Sequence, residues 1–173
     1  MQPKTIVFIH GLFMNDHSWM EWKTYFEERG YNCIVPQYPL HKGNPADLRT
    51  NISADLGKLE YTDIVKHYED IISQLDHKPI LIGHSVGGML VQSLVNKDLA
   101  TMGICIDSAP PKGINCFKWS FIKANIATIN PFKGNSPFLP SVKWFHYAFC
   151  NTLSMEETEK LYNQFVVPES RER

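Results

Sequence analysis

Apolar and polar positions along this chain fall in blocks whose period switches between that of a strand and that of a helix. Thr5-Ile6-Val7-Phe8-Ile9 is a continuous apolar run ending at His10-Gly11, the pattern of a strand buried on both faces. Ser18-x-x-Glu21 predicts a capping box, and Trp19, Trp22 and Phe26 then form an apolar stripe that stops at Gly30. Cys33-Ile34-Val35 predicts a short strand before Pro36. From His41 to Leu59 the chain is polar and irregular and is expected to be surface loop. Ile64, Val65, Tyr68, Ile71, Ile72 and Leu75 recur at helical spacing, and Pro79 parts that helix from the strand-like run Ile80-Leu81-Ile82. Leu90, Val91, Leu94 and Val95 predict another helix, and Met102–Ile106 another strand. Strands and helices that alternate in this way predict a parallel sheet covered by helices on both faces.

After Asp107 the pattern changes. Ser108-Ala109-Pro110-Pro111-Lys112-Gly113 breaks the chain, and the next sixty or so residues are aromatic-rich and helical in character. Ser154-x-x-Glu157 predicts the start of a last helix running through Leu161 and Phe165. The expected organisation is an α/β core over residues 1–109 and a helical segment over 110–173. The aromatics of that segment either line an apolar pocket or pack a small core of their own.

Composition narrows the function classes. The chain has 173 residues, 43% hydrophobic and 20% charged, with a net charge of −1. These values describe a globular protein with no electrostatic footprint for nucleic acid. No apolar run approaches the ~18 residues of a membrane span, and no basic leader precedes the first strand. A cytoplasmic protein without nucleic-acid or membrane partners is expected. Cys33, Cys105, Cys116 and Cys150 show no Cys-x-x-Cys spacing, so reduced thiols are expected and neither a metal nor another cofactor is called for.

The chemistry concentrates in Gly83-His84-Ser85-Val86-Gly87, where an apolar strand enters Gly-x-Ser-x-Gly and an apolar helix leaves it. This is the pattern of a nucleophile elbow, a sharp strand-to-helix turn that lifts one serine Oγ clear of the sheet. Glycine is needed at 83 and 87 because a Cβ there would collide with neighbouring backbone. Phosphate-loop readings do not fit: Ser85 stands where a dinucleotide fingerprint needs its second glycine, and no Lys-Ser/Thr follows.

With these motifs the chain resembles the α/β-hydrolase superfamily. The resemblance implies a three-layer αβα fold with a mostly parallel sheet and a helical cap inserted after the sixth family strand. It also implies Ser85 as nucleophile and the backbone N–H groups of Leu12 and Val86 as oxyanion donors. His10 is implied to be structural, without a proton-transfer role. The family order of Ser, then Asp or Glu, then His places base and acid on strands after the cap, which are missing here. Asp107 matches an acid position used by some members, and it also reads as a strand-end turn former. His146 lies in the cap segment and matches no base position, and His84 is expected to project away from the active face.

The implied function is a metal-free serine hydrolase acting on carboxylic esters of small or medium apolar acyl groups. Thioesters, lactones, amides and carbon–carbon bonds suit the same geometry. The alternative is a non-catalytic protein, or an inactive truncated hydrolase, that binds a ligand under the cap. Without its base the chain is expected to be nearly inactive, and to self-associate or be unstable through an uncovered strand at 103–106.

Overall fold

A computed structural model of the chain describes residues 4–111, 113–114, 117–126 and 135–171. Its centre is a four-stranded parallel sheet in the order β2-β1-β3-β4, with β1 at Thr5–Ile9, β2 at Asn32–Ile34, β3 at Ile80–His84 and β4 at Met102–Ile106. Side chains alternate across β1. Ile6 and Phe8 join Trp19, Cys33 and Ile82 on one face, under α1 (Met20–Glu27), to which Phe26 contributes. Val7 and Ile9 join Leu81 on the other face, against Tyr68 of α3 (Tyr61–Ser73) and Leu90 and Leu94 of α4 (Val86–Asn96). Phe8, Tyr68 and Leu90 are each fully buried. Burial of an aliphatic or Phe side chain of this kind contributes about 1.5–3 kcal/mol. The product is the expected three-layer α/β arrangement.

Two local expectations fail. Ser18 caps no helix: its hydroxyl donates to the Asn15 carbonyl at 2.7 Å, and Asn15 instead caps a 3-10 turn, Asp16–Trp19, that leads into α1. Asn15 therefore competes successfully for the turn that the Ser18-x-x-Glu21 spacing suggested. The stretch from His41 to Leu59 is not simply surface loop. It contains α2 (Pro45–Thr50), capped by Asn44, and a 3-10 turn at Ala54–Lys58. His41, Leu56 and Leu59 are buried within it. These segments are too short for a period to show in sequence.

The stop at Gly30 is as expected. Its φ is 81°, a left-handed conformation that suits glycine, and the Tyr31 N–H returns to the Phe26 carbonyl at 3.2 Å.

Beyond β4 come α5 (Trp119–Ile126), α6 (Val142–Phe149) and α7 (Met155–Phe165). The capping box at the start of α7 forms as expected, with Glu157 N–H donating to Ser154 Oγ at 3.2 Å and Ser154 N–H to Glu157 Oε2 at 2.9 Å. Phe145, Cys150, Tyr162 and Val166 form a separate apolar cluster with Phe13, from the loop after β1. Phe138, Trp144 and Phe149 pack edge-on around the Phe13 ring, with centroids 5.6, 5.2 and 6.3 Å away. Phe117 and Trp119 are exposed, and Phe132 and Cys116 lie outside the described residues.

After α7, Val166, Val167, Glu169 and Ser170 are all buried, although they do not join the sheet. Val167 N–H donates to the Phe13 carbonyl at 3.0 Å, and Glu169 makes an isolated antiparallel bridge with Phe138. Among the described residues β4 is paired on one side only, and its Met102 and Ile104 are exposed.

Candidate active site

The elbow is built from two close backbone approaches and one between backbone and a side chain. A Cβ on Gly83 would overlap the Gly87 carbonyl, and one on Gly87 would overlap the carbonyl oxygens of Ile9 and His10. One on Gly11 would sit 3.1 Å from Ser85 Cβ. Glycine at 83 and 87 thus lets β3, α4 and the end of β1 converge. Ser85 sits at the turn with φ 56° and ψ −120°, a region that non-glycine residues rarely adopt and that costs on the order of 1–3 kcal/mol. Its surroundings hold it there. Ser85 N–H donates to the Ile106 carbonyl at 3.0 Å, and its own carbonyl accepts from Gly88 and Ala109 at 3.0 and 2.9 Å.

Around Ser85 the backbone presents donors. Val86 N–H begins α4, and Leu12 N–H follows Gly11, whose Cα lies beside the Ser85 side chain. Among the described residues neither N–H has a hydrogen-bond acceptor, and Ser85 Oγ makes no side-chain hydrogen bond. A helix N-terminus favours negative charge, so this corner is electropositive without a charged side chain.

The histidines divide sharply. His10 is fully buried; its Nδ1 lies 2.9 Å from the Gly11 carbonyl and so carries the proton, leaving Nε2 without a partner. Burial pushes its pKa down to about 4, so it is neutral at pH 7. The ring stacks on Tyr38, centroids 3.9 Å apart, and the Tyr38 hydroxyl donates to the His10 carbonyl. His146 on α6 points at α7: its Nδ1 is 2.9 Å from Thr158 Oγ1. Because the Thr158 hydroxyl donates to the Ser154 carbonyl, His146 is the donor of that pair.

His84 departs from expectation. Its ring does not turn away but lies against Gly11, Nδ1 3.2 Å from the position of a Gly11 Cβ. Burial lowers its pKa, and the nearby charge of Asp107 works in the opposite direction. Asp107 itself is exposed, at φ 41° just past β4.

Beside the elbow lies an apolar cleft of about 370 Å³. Gly11 and His84 line it, together with Met14, Trp19, Trp22, Phe145, Phe149 and Leu161. Trp22, expected in the core stripe of α1, is 45% exposed because it faces this cleft. Among the described residues no group of His, Cys, Asp or Glu is placed to hold a metal, and no helix is long and apolar enough to cross a membrane.

The most consequential feature absent from the sequence reading is the buried pair His41–Glu169. Their side chains approach to 3.4 Å between Nε2 and Oε2, each 1% exposed. Glu169 Oε1 also accepts from the Phe13 N–H at 3.2 Å. The two residues are 128 positions apart in sequence, so no local pattern joins them.

A family model described as the alpha/beta hydrolase family matches residues 6–168. The chain belongs to that family. Among solved structures, an extracellular α/β-hydrolase from a Paenibacillus species is 25% identical with a TM-score of 0.73; the match covers 96% of this chain and 67% of that one. It is described as structurally and functionally homologous to a tobacco salicylic acid binding protein. A methylesterase from Arabidopsis is 17% identical with a TM-score of 0.68, covering 98% of this chain and 68% of its own. Polyneuridine aldehyde esterase is also 17% identical, with a TM-score of 0.66 and coverage of 98% and 70%. No curated protein sequence matches the chain. The family's fold accounts for the four-stranded parallel sheet with helices on both faces.

Proposed function

We propose that this chain carries the nucleophile side of a serine hydrolase site for carboxylic esters with small or medium apolar acyl groups. The observation that carries the reading is Ser85, held at φ 56° at the turn into α4, while among the described residues the Leu12 and Val86 N–H groups have no acceptor. Ser85 Oγ attacks the ester carbonyl, and the N–H groups of Leu12 and Val86 take the charge that develops on its oxygen. Each such donor is worth about 3–4 kcal/mol in the transition state. The apolar cleft beside Gly11 and His84 accepts the acyl or ring portion. Residues 110–173 serve as the cap over residues 1–109, and esterase-like solved neighbours support the bond type.

Among the described residues no imidazole is bonded to Ser85, so the reading takes its base, and the acid that orients it, from another segment. The 173 residues alone then turn over esters slowly, with only oxyanion donors and binding at work, roughly 10³–10⁴-fold over water. A fluorophosphonate probe, followed by peptide mapping of wild type and Ser85→Ala, tests the site. Labelling of Ser85 that vanishes in the variant supports it; an unlabelled Ser85 sinks it.

A second reading rests on the same missing imidazole: the cleft binds an apolar ligand without turnover. Saturable binding together with ester hydrolysis unchanged in Ser85→Ala favours that reading. Loss of hydrolysis in the variant counts against it.

A further inference from the structure

Three segments distant in sequence meet at one buried point. The loop after β1 brings Phe13, the loop after β2 brings Pro39 and His41, and the chain after α7 brings Val167, Pro168 and Glu169. His41 Nδ1 lies 3.0 Å from the Pro39 carbonyl, and Nε2 lies 2.9 Å from the Pro168 carbonyl. Carbonyl oxygens only accept, so both ring nitrogens carry protons and the ring is an imidazolium. Its charge is met by Glu169, whose Oε2 is 3.4 Å from Nε2. The second carboxylate oxygen accepts from Phe13 N–H at 3.2 Å, while the Phe13 carbonyl accepts from Val167 N–H at 3.0 Å. Phe13 is thereby gripped on both sides of a residue at φ 64°, a conformation a bulky side chain does not hold unaided.

We propose that Glu169, oriented by His41, is a positioning residue that fixes the loop Gly11–Phe13 and so aims the Leu12 N–H at the Ser85 site. Phe13 N–H and the Leu12 carbonyl share one peptide plane; anchoring that plane limits rotation about Leu12 and sets where its own N–H points. The inference rests on the reading of Leu12 N–H as an oxyanion donor. It assigns a function to a segment, 166–170, that lies outside the elbow. A buried ion pair is a poor source of net stability, and its worth here is one of geometry.

Among the described residues, the groups that face His41 include Glu169 from the C-terminal segment, His10 from the end of β1, and Tyr38 on its own loop. Burial alone would lower the His41 pKa, yet the Glu169 charge and hydrogen bond, with the Pro39 and Pro168 carbonyls, outweigh burial and raise it. His10 is neutral in the same range and adds no competing charge.

The test uses the isotope-labelled 173-residue chain and two variants. In Glu169→Ala, the Phe13 amide is expected to lose at least tenfold of its protection from hydrogen exchange, and the Leu12 amide resonance to shift, while β3 and α4 resonances stay in place. Ser85 phosphonylation at saturating fluorophosphonate is expected to slow about tenfold, with little change in the half-saturating concentration. In Glu169→Gln, which keeps an oxygen for Phe13 N–H, both loop readouts should recover most of the way, yet the His41 titration should move down. A folded Glu169→Ala with Phe13 still protected and wild-type labelling overturns the proposal. Should that variant fail to fold, an unmoved His41 titration in Glu169→Gln overturns it instead. A wild-type Ser85 that takes no label sinks the serine-hydrolase reading by a separate route, and the amide and titration measurements still decide whether Glu169 sets the loop.

Discussion

Gly87 and Ile9 approach so closely that a Cβ on Gly87 would overlap the Ile9 carbonyl oxygen. One residue thus joins the start of α4 to the end of β1, next to Ser85. Gly87→Ala is expected to cost about 3 kcal/mol or more, because backbone rather than a flexible side chain must move. Chemical denaturation of wild type and variant checks this. A variant within about 1 kcal/mol of wild type would mean the elbow is looser than its geometry implies.

Stability should fall on the acid side because of His10. The unfolded chain binds a proton at this residue below about pH 6.5, whereas the folded one stays neutral down to about 4. Stability is therefore lost as pH drops through that window, by up to roughly 3 kcal/mol. His41 behaves in the opposite sense. Its raised folded value gives a contribution that is complete below about pH 6.5 and is lost as pH climbs through the folded pKa. Denaturation midpoints at a series of pH values should peak near neutrality, and His10→Asn should flatten the acid limb. An acid limb unchanged in that variant assigns the effect elsewhere.

Arg49 should matter far more than its sequence context suggests. Its guanidinium donates to the carbonyls of Tyr162 and Val166 at 3.2 and 2.7 Å, closing the C-terminal end of α7. Hydrogen bonds from a charged donor contribute about 1.5–3 kcal/mol, so Arg49→Ala is expected to cost about 2 kcal/mol and to speed amide exchange over residues 162–169. Arg49→Lys should recover less than half, since an ammonium cannot reproduce the planar fork. Full recovery by lysine would reduce the role to charge alone.

The side of β4 that is unpaired among the described residues is expected to drive self-association. Met102 and Ile104 are 55% and 41% exposed on a strand with no charge along its length. Sedimentation of the isolated chain should show concentration-dependent association, and Ile104→Lys should weaken it at least tenfold with an unchanged fold. Identical sedimentation of both proteins removes β4 from the interface.

Much of this protein was determined locally. The apolar runs at Thr5–Ile9, Ile80–Ile82 and Met102–Ile106 became strands, and the stripe of Ile64, Val65, Tyr68 and Ile72 became the buried face of α3, because burial periodicity is a property of neighbouring residues. The Gly83–Gly87 spacing was legible for the same reason: the steric conflict it avoids lies within five residues and one adjacent strand. What could not be read were contacts whose partners are far apart along the chain. Nothing in the sequence around His41 or around Glu169 points to the other, and only the fold brings them within 3.4 Å and buries both. Likewise Trp22 obeys the helical stripe in sequence, but its exposure was decided by the cleft beside it. Ser18 lost its predicted cap to Asn15, a competition among near neighbours that the path of the loop after β1 resolved. Periodicity specifies which side of an element is apolar. Which distant charge or ring meets that side is set by the tertiary packing, since a pairing across more than a hundred residues leaves no repeat in the sequence between them.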